Sequence, residues 1–227
     1  MREIAVPMDV PPYRLSGVVY GASLNHHTAL QALGDAVSQP PYIGAPRAPV
    51  LYIKPRNTLV VSGTSVEVPQ GVTELEIGGC LGLVVGRPAC RVAEADALDH
   101  LAGYLIVNDI SVPHSSYYRP SIRFRARDGF CPLGPRVVAR AAVANPDTLS
   151  IRVYVDGQLK HEASTSQLVR SVGTLLADVT DFMTLSPGDV LAVGVAAPAP
   201  RVRTGQRACI EIDGLGRLDN SFVQGVA

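Results

Sequence analysis

CLGLVVGRPACRVAEADALDHLAGYLIVNDIS, residues 80–111, opens and closes on apolar runs rich in branched side chains. CLGLVVG (80–86) and YLIVNDI (104–110) have the composition of strands. Between them, Ala93–Leu101 has room for one short helix. Outward from this stretch the strand composition recurs in VVYGA (18–22), VLYIK (50–54), TLVVSG (58–63), LSIRVYV (149–155), VLAVGV (190–195) and ACIEID (208–213). Asp156-Gly157 separates LSIRVYV from QLKHEA as a two-residue hairpin turn. Two longer helical signals compete with the strands. His27–Ala36 is rich in Ala and Leu. From Gln167 to Met183 apolar residues follow a 3.6-residue period, with Ser164, Thr165 and Ser166 as candidate N-caps and Ser186-Pro187-Gly188 as the stop. The reading is an α+β, β-rich chain.

The 227 residues are 47% apolar and 18% charged, with 20 basic residues against 20 acidic ones. That balance excludes intrinsic disorder and lacks the basic excess of a nucleic-acid binder. No apolar run reaches the ~20 residues of a membrane-spanning helix. The polar, Pro-rich start MREIAVPMDVPPYRL does not read as a secretory signal, so the expected compartment is the cytoplasm. Cys80, Cys90, Cys131 and Cys209 form no close pair and read as buried small apolar residues. The Pro-rich run 39–49 is the best linker, dividing a small N-terminal element (1–50) from a β-rich domain (51–227).

Several groups carry possible chemistry. Asn25-His26-His27 follows a strand and opens a helix. Glu74-Leu75-Glu76 places two carboxylates on one side of a strand, a pattern suited to a hard cation and equally common on solvated faces. Asp109 ends an apolar strand, where a carboxylate must be paired, hydrogen-bonded or metal-bound. Tyr117, Tyr118 and Arg119, then Arg123, Arg125, Arg127 and Asp128, form the densest polar cluster. If 122–127 is extended, Arg123, Arg125 and Arg127 share one face while Ile122, Phe124 and Ala126 face the core. Three guanidiniums so placed suit a dicarboxylate; an oligomer interface is the alternative.

At this cluster the chain resembles the fumarylacetoacetate hydrolase family. The segments that carry the resemblance are YIKPRNTLV (52–60), residues 80–111, RARDGFCPLGPRVV (125–138) and LSPGDVLAVG (185–194). Within the family, NHHTALQAL, YIKPRNT and SYYRPSIRFRARDGFCPLG are similar to the amino-terminal half of the tandem isomerase/decarboxylases of homoprotocatechuate (4-hydroxyphenylacetate) catabolism. The resemblance implies a mixed β-roll and a divalent cation, usually Mg²⁺, that grips a 2-oxo acid and stabilises an enolate. It implies substrates such as 5-carboxymethyl-2-oxo-hex-3-ene-1,7-dioate and 2-hydroxyhepta-2,4-diene-1,7-dioate. It also implies a homodimer, or a heteromer with a second family subunit. Carried onto this chain, it gives Arg125, Asp128 and Lys54 as catalytic residues, and Tyr118, Arg119, Arg123 and Arg127 as substrate-binding residues.

The family's metal triad is Glu-x-Glu plus the Asp of an Asn-Asp pair, and only Asp109 matches. Counting back from Gly86, the two glutamates fall on Gly78 and Cys80. Glu74 and Glu76 reach the metal only if the register slips by four residues. The family's strand-end His falls on Ala29, an Arg on Pro113, a Thr on Val195, and the loop Lys on Arg125. These replacements leave three readings: a subunit that acts with a metal-competent partner, a non-catalytic structural partner, or an independent enzyme using a reorganised site.

Overall fold

The computed structural model describes residues 17–114 and 121–225. Within them the strands are β1 (Val19–Ser23), β2 (Val50–Lys54), β3 (Leu59–Val61), β4 (Ser65–Val68), β5 (Leu75–Glu76), β6 (Gly79–Val85) and β7 (Leu101–Asn108). They continue as β8 (Cys131–Ala139), β9 (Ser150–Val155), β10 (Gln158–Ser164), β11 (Val190–Ala192), β12 (Arg201–Val202), β13 (Arg207–Ile212) and β14 (Gly216–Gln224). The α-helices are α1 (His27–Gln31), α2 (Ile122–Arg125) and α3 (Val172–Phe182). A seven-stranded sheet runs β2-β1-β11-β6-β7-β8-β3, a five-stranded sheet runs β10-β9-β13-β14-β4, and β5 pairs with β12. The architecture is α+β and strand-rich, as the sequence indicates.

Residues 80–111 lie at its centre. β6 and β7 pair antiparallel from Gly79↔Asn108 to Val85↔Leu101. Leu81, Leu83 and Val85 face the large core shared with Val153, Ile210 and Phe222 of the second sheet. Cys80 and Val84 point the other way, into a smaller core with Val107, Cys131 and Val190. Both faces are covered, which is why the strand reads as a continuous apolar run rather than an alternation. Asp189 fixes the sheet's other end: its carboxylate accepts from Val18 N and Ser186 N, both at 2.7 Å. β1 is thereby docked parallel to β11, with β2 antiparallel on its outer side.

The Asp156-Gly157 turn joins β9 to β10, and both residues have positive φ (50° and 77°), as a two-residue turn of the I′ class requires. The helices are shorter than their sequence signals. α1 ends at Gln31, and the chain continues as a 3-10 turn over Gly34–Ser38. Ala93–Leu101 becomes a 3-10 segment, Glu94–His100. α3 starts at Val172, capped by Ser171, whose hydroxyl accepts from Thr174 N. The expected caps at 164–166 instead close a separate turn, and Leu168 is taken up by a bridge to His26.

The arginine segment departs most from expectation. Residues 122–125 form one helical turn, not a strand. Arg123, Arg125 and Arg127 therefore do not share a face, and Ile122 (70% exposed) and Phe124 (36%) do not face the core. Tyr117, Tyr118 and Arg119 lie outside the described residues.

Candidate active site

Asp109 follows the last residue of β7 and is almost completely buried, at the floor of a cavity of about 200 Å³. Its partners come from β2 and α2. Tyr52 and Lys54 are two residues apart on one strand and so point to the same side. The Tyr52 hydroxyl donates to Asp109 Oδ2, and Arg125 Nη1 donates to the same oxygen at 2.8 Å. Lys54 Nζ lies 2.7 Å from Oδ1. The three protons of Lys54 are directed at backbone carbonyls: Ile110 (2.7 Å), Phe130 (3.0 Å) and Arg125 (3.1 Å). Its contact with Asp109 is thus a charge contact rather than a directed hydrogen bond. The Arg125 guanidinium also lies over the Tyr52 ring, 4.5 Å from its centroid. Tyr52 can reach across β1 because Gly21 stands opposite it; a Cβ there would lie 2.1 Å from the ring.

Burial alone would push the Asp109 carboxyl up, but Lys54 and Arg125 outweigh it and hold the group below the usual carboxylate range. Burial and the Asp109 charge push the Tyr52 hydroxyl well above its ordinary value. The same causes keep Cys80 a neutral thiol. Among these groups the stable charges are one carboxylate and two cations.

Ala29, Gly78 and Val195 line the same cavity as Asp109 and Arg125. A Cβ on Gly78 would meet Asp109 O at 2.4 Å and Val195 Cγ2 at 2.9 Å. Five positions carried over from the family motifs, Ala29, Gly78, Asp109, Arg125 and Val195, therefore meet in space. Glu76 reaches the rim, but it faces Arg201 (3.5 Å) and Ser111. Glu74 pairs with Arg201 at 2.7 Å. The two carboxylates do share a side of β5, and Arg201 gathers both there.

Of the remaining sequence candidates among the described residues, Arg123, Arg127 and Asp128 do not line the cavity. Asp128 accepts from Asn57 Nδ2 at 2.7 Å and, with Arg127, borders a separate surface hollow of about 380 Å³. Arg127 Nε donates to the carbonyl of exposed Arg123. Pro113 does not line the cavity; its neighbour His114 does, stacked on Phe124 with centroids 5.2 Å apart. Sequence reasoning passed over Tyr52, His114 and Arg201. The two-residue spacing from Lys54 was the available signal for Tyr52.

The residues present do not fit the Mg²⁺ that the resemblance implies. Such an ion needs a near-octahedral set of oxygens. Here Gly78 and Cys80 supply no carboxylate, and Asp109 is taken up by two cations and a hydroxyl. No three His, Cys, Asp or Glu side chains among the described residues are grouped to hold a metal.

Residues 18–223 match the family described as fumarylacetoacetate (FAA) hydrolase C-terminal. The 4-hydroxyphenylacetate degradation bifunctional isomerase/decarboxylase of Escherichia coli is 36% identical over 209 residues, 92% of this chain and 48% of that protein. The chain thus spans about half the length of the curated relatives it matches. The structure of 5-carboxymethyl-2-hydroxymuconate delta-isomerase from Mycobacterium smegmatis superposes with a TM-score of 0.81 at 27% identity, covering 99% of this chain and 83% of that one. Maleylpyruvate hydrolase from Sphingobium sp. SYK-6, solved with manganese(II) and pyruvate, gives 0.76 at 28% identity, covering 92% of this chain and 71% of that one. Fold, motif positions and the match over 18–223 agree: the chain belongs to the fumarylacetoacetate hydrolase family.

Proposed function

We propose that this chain is a subunit of a 4-hydroxyphenylacetate (homoprotocatechuate) catabolism isomerase/decarboxylase, working beside a second family domain that carries the metal. The substrates would be 5-carboxymethyl-2-oxo-hex-3-ene-1,7-dioate, which loses CO₂, and 2-hydroxyhepta-2,4-diene-1,7-dioate, which is tautomerised. The observation that carries this reading is the cavity itself: family positions converge on it, yet Ala29, Gly78 and Val195 stand where the family's acid–base and metal-ligand groups fall. The chemistry left to this chain is binding. Arg125 brings a fixed positive charge to a cavity sized for a small organic acid. Tyr52 and Lys54 hold Asp109, and through it Arg125, in place. We assign Arg125 the orientation of a substrate carboxylate and Lys54 a positioning role.

The replacement of the family's glutamate and histidine by Gly78 and Ala29 in the cavity favours a second reading, a non-catalytic structural partner. Turnover separates the two. The purified chain is assayed on the 1,7-dioate substrates alone, with Mg²⁺, and with a metal-carrying family subunit. A contributing subunit gives no turnover alone and raises the partner's rate or lowers its KM, an effect lost in Arg125→Ala. A purely structural partner leaves KM unchanged and alters only the assembly's stability. Full turnover by the isolated chain would overturn both.

A further inference from the structure

We infer that Lys54 and Arg125, held one on each oxygen of Asp109, close this site to a divalent cation. A divalent ion would bring two positive charges to the carboxylate that ends β7. Here two cations already do so, one on each oxygen: Lys54 at 2.7 Å from Oδ1 and Arg125 at 2.8 Å from Oδ2. Neither is placed to give way. Lys54 is 1% exposed and tied to three carbonyls, so withdrawing it would strand a buried ammonium and the buried carbonyls of Ile110 and Phe130. Arg125 is held on the Tyr52 ring as well as on the carboxylate. An entering metal would also have to replace the Tyr52 hydroxyl on Oδ2.

The opposite wall is equally committed. Gly78 sits against the backbone oxygen of Asp109, and the space of a glutamate is already filled by main chain. Cys80, one turn of the pleat further on, is fully buried and neutral. The charge of Asp109 is therefore balanced by side chains of this chain.

The test is a Mn²⁺ titration of the wild-type protein, read by the electron paramagnetic resonance signal of free aqueous Mn²⁺. Melting curves in Mn²⁺ and in EDTA accompany it. The expected result is no loss of the free-ion signal at stoichiometric protein and the same Tm in both buffers. Asp109→Asn, which leaves two buried cations uncompensated, should lower Tm by about 10 °C with or without Mn²⁺. One Mn²⁺ bound per chain and abolished by Asp109→Asn would overturn the inference, as would an unchanged Tm in that variant. The wild-type titration is decisive even where Asp109→Asn fails to fold. It is also independent of the pathway assignment: failure of the partner assay leaves this inference standing, and Mn²⁺ binding overturns it alone.

Discussion

At Gly78 there is no room for a side chain, because the main chain of Asp109 occupies the place a Cβ would take. Gly78→Glu, the substitution that writes the family glutamate back, should therefore destabilise the protein by at least about 3 kcal/mol, combining overpacking with burial of a carboxylate. It should also gain no Mn²⁺ affinity. Urea unfolding and a Mn²⁺ titration of the variant check both parts; a variant as stable as wild type would refute the packing argument. This residue, with Ala29, Val195 and Asp109, was legible in the sequence, since the family motifs on four separate segments place them one by one. His114 and Arg201 were not. His114 enters the cavity where the chain turns after β7, and Arg201 enters through two-residue strands too short to leave a pattern.

Between elements, one hydrogen-bond chain ties α1 to the cavity wall. His26 caps α1: its Nδ1 accepts from Thr28 N at 3.3 Å and faces Thr28 Oγ1 at 2.9 Å. Thr28 Oγ1 in turn accepts from Ala197 N at 2.9 Å, so its own proton is free to go to His26. Nδ1 must then be unprotonated. Burial lowers the pKa of His26, the Ser164 backbone opposes this, and His161 and His27 lower it further; burial also lowers His161. A depressed folded pKa gives stability that is complete above the unfolded value, about 6.5, and lost as pH falls from there through the folded value. The urea midpoint should be level above about pH 7 and fall below about pH 6.5, with amide exchange at Ala197 quickening over the same window. His26→Asn, which keeps a cap, should flatten part of that fall. A midpoint that stays level down to about pH 5 would sink the idea. The Asp109 contribution belongs to a separate window, since its depressed carboxyl is lost only below the ordinary carboxylate range. Elements such as this cap were half visible: Asn25-His26-His27 announced a helix start, but not the loop it would hold. α2 was misread because alternating arginines mimic a strand, while Ser121–Ala126 closes as one helical turn with exposed apolar residues.

For the whole molecule, local pattern found most strands and not their order. β1 lies beside β11, more than 160 residues away, and β4 beside β14; those neighbours follow from burial of both sheet faces, which no short window contains. β14 was hidden because one side is wet and its composition is mixed, and β8 because Pro132, Gly134 and Pro135 interrupt a largely buried run. The same topology leaves β2 as the outermost strand of the large sheet, with nothing among the described residues paired to its outer side. Ile53, next to its last residue, is 56% exposed, and Val18, just before β1, is 38% exposed. A long apolar edge is a pairing hazard unless it is covered, and a neighbouring subunit is one cover. We therefore expect this edge to lie in the contact with a second copy or with the metal-carrying partner, directly beside Tyr52 and Lys54 of the site. Ile53→Lys removes about 1.5–3 kcal/mol of apolar burial and adds a charge that must be desolvated, so it should weaken assembly at least tenfold. Light scattering at micromolar concentration, alone and with the partner, reads the outcome. Wild type should exceed the monomer mass and the variant should fall to it, with its circular dichroism unchanged. A wild-type protein that is monomeric in both conditions, or a variant that assembles as wild type does, would place the contact elsewhere. In that event β2 would be a solvent-facing edge, and its exposed Ile53 an aggregation liability rather than a docking residue.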